Sequence, residues 1–235
     1  MSDYGAIPIV CYVTDRRSAP GVDSSGETDS IPPLIASIER AVAAGVDWIQ
    51  VREKDLEARP LEALVRRAVE ISGRSARILV NDRLDVALAA GAAGVHLGET
   101  SLSIERMAAW RIAAGRPDFA IGVSCHSSEA VRAAERAGAD YVFFGPVFAT
   151  PSKSSFGPPQ GIAQLAAACK STRMPVLAIG GITESNAAEC LAAGAAGIAA
   201  IRMFQEATDL AGIVYRLHAL GSAGAHRNLS GESSS

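Results

Sequence analysis

Eight short apolar runs alternate with helix-patterned segments, and a glycine-centred turn recurs before every second run; together these predict an α/β fold, a single-domain (β/α)8 TIM barrel. A third observation supports a core of that size. Of the 235 residues 49% are hydrophobic, which excludes wholesale disorder.

The apolar runs are Ile7–Val13, Val46–Val51, Arg77–Val80, Gly94–Leu97, Phe119–Val123, Tyr141–Phe144, Val176–Ile179 and Gly197–Ile201. Each has the length of about 4–7 residues expected of a strand buried on both faces. Helical spacing marks segments between them, such as Pro32–Ala44, Pro60–Ser72, Ile104–Ala114, Glu129–Ala137 and Asn186–Ala193. Parallel strands need such crossover helices. An open doubly wound sheet shares the alternation, but eight units in about 220 residues fit closure better.

The recurrent turn reads Ala43-Ala44-Gly45-Val46-Asp47, Ala89-Ala90-Gly91-Ala92-Ala93, Arg136-Ala137-Gly138-Ala139-Asp140 and Ala192-Ala193-Gly194-Ala195-Ala196. Its copies lie roughly fifty residues apart, about two βα units. A helix that ends at a left-handed glycine and turns straight into a buried strand would produce this pattern. No composition break divides the chain, so residues 1–220 read as one catalytic domain. Two segments fall outside the pattern: Ser18–Ser30, an extended polar loop, and Gly221–Ser235, expected to be a disordered tail.

Composition also narrows the function. A net charge of −3 argues against nucleic-acid or membrane-surface binding through bulk charge. No apolar run approaches the roughly 18 residues that span a bilayer. The opening MSDYGAIPIV lacks the basic start and long apolar stretch of a secretory signal. Cys11, Cys125, Cys169 and Cys190 show no C-x-x-C spacing, which disfavours a zinc site or a disulfide framework. The expectation is a soluble, cytoplasmic protein acting on small molecules, with homo-oligomerisation left open.

In this fold chemistry sits at the carboxyl ends of the strands. Strand two runs into Gln50-Val51-Arg52-Glu53-Lys54-Asp55, and alternation sends Gln50, Arg52 and Lys54 to one face. Asp82 follows strand three, and Lys153 lies beyond strand six. Cations from separate strands beside a carboxylate suit a polyanion with a bridging Mg2+. The competing reading, a solvated loop of local ion pairs, applies to any one of these charges alone. Gly180-Gly181 after strand seven, with Ile201-Arg202 after strand eight, suggests a second phosphate site built from backbone N–H groups. His96 lies within a strand pattern and reads as structural, whereas His126, past strand five, is an acid/base candidate. Ala149–Gly161 is rich in Pro, Gly and Ser and reads as a lid carrying Lys153.

The chain resembles the thiamine phosphate synthase family and its relatives, the thiazole tautomerases. The motifs are Gln50-Val51-Arg52-Glu53-Lys54, Asn81-Asp82-Arg83, Gly94-Val95-His96-Leu97-Gly98, Gly122-Val123-Ser124-Cys125-His126, Gly145 through Lys153, Gln160-Gly161 and Ile179-Gly180-Gly181-Ile182. The resemblance implies a synthase joining hydroxymethylpyrimidine diphosphate to a thiazole phosphate. Gln50, Arg52, Lys54, Asn81 and Lys153 then match the residues holding the pyrimidine diphosphate, and Asp82 matches a Mg2+ ligand. Ser124, Thr150, Ser152 and Gly181 match positions around the thiazole phosphate and diphosphate. Two departures stand out. Ser101 replaces an aspartate that helps hold Mg2+, leaving Glu99 as the nearby alternative, and Arg202 stands where serine is frequent. The competing readings are a thiazole tautomerase using His126, a non-catalytic thiazole-phosphate binder, and a sugar-phosphate isomerase on the same fold.

Overall fold

In a computed structural model, which describes residues 7–20, 30–98, 101–150 and 158–227, the eight strands form one closed parallel barrel in sequence order. The strands are β1 (Ile9–Val13), β2 (Trp48–Val51), β3 (Arg77–Asn81), β4 (Gly94–Leu97), β5 (Ala120–Cys125), β6 (Tyr141–Phe144), β7 (Val176–Ile179) and β8 (Gly197–Ala200). The helices are α1 (Ile31–Ala43), α2 (Ala58–Ser72), α3 (Leu84–Ala89), α4 (Ile104–Ala113), α5 (Ser128–Ala137), α6 (Gly161–Lys170), α7 (Glu184–Ala192), α8 (Arg202–Gln205) and α9 (Leu210–Arg227). Strands β4, β6 and β7 have the bounds expected from sequence. Strand β1 starts later than its apolar run, because Ile7 lies 65% exposed outside the barrel. Helix α9 passes the expected boundary at 220 and reaches Arg227, a correction to the start of the tail; residues 228–235 lie outside the described residues.

The recurrent glycine turn does what its sequence suggests. Gly45, Gly91, Gly138 and Gly194 have φ of +86°, +73°, +96° and +102°. The residue after each glycine donates its N–H to the carbonyl five positions earlier: Val46 to Ala41, Ala92 to Ala87, Ala139 to Ala134, Ala195 to Cys190. That bond closes the last helical turn in the Schellman manner. One residue further on, the N–H of Asp47, Ala93, Asp140 or Ala196 already bonds the neighbouring strand. Only three or four residues thus separate helix end from strand start, and the glycine is the left-handed one among them.

Strand register sorts the side chains into two cores. Val10, Ile49, Val80, Val95, Val142 and Ile198 face the helices. Cys11, Val13, Leu79, Tyr141, Phe143 and Leu177 fill the lumen, with Trp48 and Ile179 packed against them. The register pairs Val13 with Gln50, Asn81 with His96 and Ser124 with Phe143, so the inward rows continue upward into polar residues. A packed floor under a polar mouth is the consequence. All four cysteines are buried and unpaired, and burial raises the thiols of Cys125, Cys169 and Cys190 to about 12. No described helix is long and apolar enough to cross a membrane.

Candidate active site at the carboxyl mouth

The first polar layer of the mouth sits directly on the floor. Gln50 is buried and donates through Nε2 to Asn81 Oδ1 at 3.3 Å, which joins β2 to β3. On the other side His96 Nε2 lies 3.0 Å from Ser124 Oγ, which joins β4 to β5. Gln50 and Asn81 thus meet as one pair and His96 and Ser124 as another.

Strand β2 stops at Val51, so strand alternation carries only as far as Gln50. Beyond it, placement depends on an anchor that the spacing did not reveal. Thr14, fully buried after β1, accepts the Arg52 N–H at 3.0 Å and donates its hydroxyl to Glu53 Oε1 at 2.5 Å. Glu53 is only 4% exposed and also accepts the Arg16 N–H at 3.1 Å. Burial pushes the Glu53 carboxyl up, against the opposing pull of Thr14 and Arg16. Asp55 pairs with Arg16 and Arg17, and the Arg16 hydrogen bond holds it well below the usual carboxylate range.

Both acids in the Arg52–Asp55 stretch are thus occupied by arginines from the 3-10 turn at Arg16–Ser18. Arg52, half-buried, and Lys54, exposed, form no ion pair among the described residues. The solvated-loop reading describes Asp55, which is exposed and ion-paired, but not Glu53, which is buried; neither acid pairs with Arg52 or Lys54. Two cations are left at the rim.

Asp82 follows β3, the strand paired with β2. It is the non-glycine with positive φ among the described residues, at +67°, and its N–H donates to the His96 carbonyl at 2.9 Å. Left-handed backbone is uncommon outside glycine and clusters at functional positions. The exposed Asp82 carboxylate has no ion pair among the described residues. Among those residues no group of three His, Cys, Asp or Glu could by itself cage a metal. Ser101 spends its Oγ on the Gly98 N–H at 2.6 Å, and Glu99 lies outside the described residues. The donors present therefore suit Mg2+ only in its usual substrate-sharing mode, one carboxylate plus phosphate oxygens.

Across the mouth, Gly180 and Gly181 adopt φ of +92° and +67°. A Cβ on Gly181 would lie 2.7 Å from the Ala149 carbonyl oxygen and from Phe148 Cβ. Val147 and Phe148 donate their N–H groups to the carbonyls of Ile179 and Gly180 at 2.9 and 3.0 Å. The glycines therefore dock the segment after β6 onto the end of β7, a task their sequence reading did not include. That docking carries Thr150, half-buried, to the rim; Ser152 and Lys153 lie outside the described residues. His126 Nδ1 donates to the Gly145 carbonyl, tying the β5 end to the same segment. Ile201 packs against the lumen core, and its carbonyl accepts from Phe204 and Gln205 at 3.1 Å to start α8. Arg202, the first residue of α8, is exposed.

A closed parallel barrel with Arg52, Lys54, Asp82 and Gly180-Gly181 following its strands has the layout of an α/β-barrel enzyme. The family model for thiamine monophosphate synthase matches residues 25–204. The chain belongs to the thiamine monophosphate synthase family. It is 49% identical over 190 residues to a putative thiamine-phosphate synthase of Geobacter sulfurreducens, covering 80% of this chain and 83% of that one. It is 38% identical over 213 residues to the thiamine-phosphate synthase of Roseiflexus sp., covering 90% and 84%. Among solved structures, a thiamine phosphate pyrophosphorylase from Pyrococcus furiosus superposes with a TM-score of 0.75 at 32% identity, over 92% of this chain and 96% of that one. A 3-hexulose-6-phosphate synthase from Salmonella typhimurium, at 18% identity and a TM-score of 0.66, shares the fold alone.

Proposed function

We propose that this transferase joins hydroxymethylpyrimidine diphosphate to a thiazole phosphate, releasing diphosphate and forming thiamine phosphate. The observation that carries the reading is the pair of rim cations, Arg52 and Lys54, whose neighbouring acids are engaged elsewhere. A diphosphate leaving group needs such charge, and it needs it without prior neutralisation by a local carboxylate.

Gln50 and Asn81 form the polar base on which the pyrimidine rests, with their amides fixed by each other. Arg52 and Lys54 grip the diphosphate, and Lys153 completes the grip. Charge builds on the leaving oxygen as the bond to the pyrimidine methylene breaks. Fixed cations then stabilise that charge more than they stabilise the bound substrate. The thiazole nitrogen captures the resulting pyrimidine-methyl cation, a step for which the protein supplies position and exclusion of water. Ser124, Thr150, Ser152, Gly181, Ile201 and Arg202 surround the thiazole phosphate. Asp82, together with diphosphate oxygens, would hold one Mg2+, which supplies further neutralisation of the leaving group. We place the enzyme in a reducing cytoplasm, where its four buried thiols persist, and leave the homo-oligomer as a proposal.

The test is a reconstitution with pyrimidine diphosphate, thiazole phosphate and Mg2+, followed by detection of thiamine phosphate and diphosphate. Proton movement on the thiazole phosphate without coupling would instead favour the tautomerase, and binding without turnover the non-catalytic barrel. His126→Ala separates the first two readings: it spares coupling in a synthase and abolishes proton transfer in a tautomerase.

A further inference from the structure

Two buried polar groups and one half-buried hydroxyl run through the lumen from β6 to the mouth. The Tyr141 hydroxyl lies 3.2 Å from His96 Nδ1, and His96 Nε2 lies 3.0 Å from Ser124 Oγ. Tyr141 is 1% and His96 2% exposed, while Ser124 stands half-buried at the mouth. Space for the phenol is reserved in the neighbouring strand, because a Cβ on Gly122 would collide with the Tyr141 ring. The rings are also held from the sides. His96 and Phe143 have centroids 4.2 Å apart, and Trp48 meets Tyr141 edge-on at 4.8 Å.

We infer that Tyr141 is a positioning residue that sets the imidazole tautomer of His96 and, through it, the direction in which Ser124 offers its proton. The argument follows donors and acceptors. Burial keeps the phenol protonated, and its one hydrogen-bond partner among the described residues is His96 Nδ1. A buried hydroxyl proton without an acceptor is strongly disfavoured, so Tyr141 donates and Nδ1 accepts. The proton of the neutral imidazole then resides on Nε2 and is donated to Ser124 Oγ. With that oxygen already accepting, the Ser124 proton is directed away from the imidazole. It has no acceptor among the described residues and points to the mouth, where an anionic oxygen of the substrate would take it. With the opposite tautomer, Ser124 would donate to Nε2 and present only lone pairs to an anion.

This inference rests on the synthase reading for its anion but not for its tautomer, and the experiment separates the two. Long-range 15N–1H correlation spectra of the full chain read the proton position on His96 directly; the expected result is protonation at Nε2 with Nδ1 as acceptor. Finding the proton on Nδ1 in the folded wild-type protein overturns the inference whatever the enzyme's activity. In Tyr141→Phe, which keeps the ring, the spectrum should change toward the Nδ1–H form. The same variant should lower kcat of coupling by about tenfold, less than the roughly hundredfold expected for Ser124→Ala. Adding Tyr141→Phe to Ser124→Ala should cause no further loss, because both act through one proton. Independent, multiplicative losses would overturn the relay while leaving the synthase assignment intact.

Discussion

The two ends of the barrel differ in how completely their charges are paired. At the amino-terminal end the acids are locked into the frame. Asp47 accepts the Val10 N–H at 2.8 Å and His218 Nε2 at 2.9 Å, so it ties β1 and α9 to the turn before β2. Asp140 accepts the Ile121 N–H at 2.7 Å and pairs with Arg111, so it ties β5 and α4 to the turn before β6. At the carboxyl end Arg52, Lys54 and Asp82 have no such partners among the described residues. Charge that is paired at the bottom serves folding, and charge left unpaired at the top is available to a ligand. The same residue types serve both purposes; only their partners differ.

The comparison breaks most sharply under substitution at the rim. Arg52→Ala and Lys153→Ala should each lower kcat/KM for coupling by about a hundredfold, the usual cost of losing a charge-stabilising donor. Thermal midpoints should stay within about two degrees of the wild type, since no ion pair is lost at Arg52. Steady-state kinetics with a melting curve on each variant checks both halves; full activity removes the diphosphate assignment. Asp140→Ala should do the reverse. It strands the Ile121 N–H and the Arg111 guanidinium and should cost about 1–3 kcal/mol by denaturant titration, with kcat preserved. An Asp140→Ala protein that is fully stable yet inactive would erase the distinction between the two ends.

A smaller effect sharpens the account of how the cations are freed. The folded-state pKa of Asp55 lies below its ordinary value, so its ion pairs with Arg16 and Arg17 stabilise the fold above the ordinary carboxylate range. That contribution fades as pH falls toward the lowered folded value. The gap in denaturant midpoint between wild type and Asp55→Asn should therefore be present at neutral pH and shrink below about pH 4. The pair is well exposed, so the gap itself is small. A gap that widens in acid would contradict the pairing.

Much of this architecture is legible in the chain. The four glycine turns and the bounds of β4, β6 and β7 follow from local pattern, because a left-handed helix stop and a doubly buried strand are local demands. Glu53 is the clearest counter-example. It sits between two cations in sequence and reads as their partner, yet it turns inward to Thr14 and Arg16, 39 and 37 residues away. Gly180-Gly181 reads as a phosphate turn, and its first task proves to be docking the segment after β6. His96 reads as structural, and its link to Ser124 emerges only once β4 and β5 pair.

The sequence by itself determined the barrel and its alternation of strand and helix, since periodicity and glycine stops act over a few residues at a time. Only the tertiary structure decided which of those charges are neutralised. Pairing of Arg16 with Glu53 or Asp55 requires the segments after β1 and β2 to lie side by side, and pairing of Tyr141, His96 and Ser124 requires three strands to bring their side chains to matching heights in the lumen; both are set by register around a closed sheet.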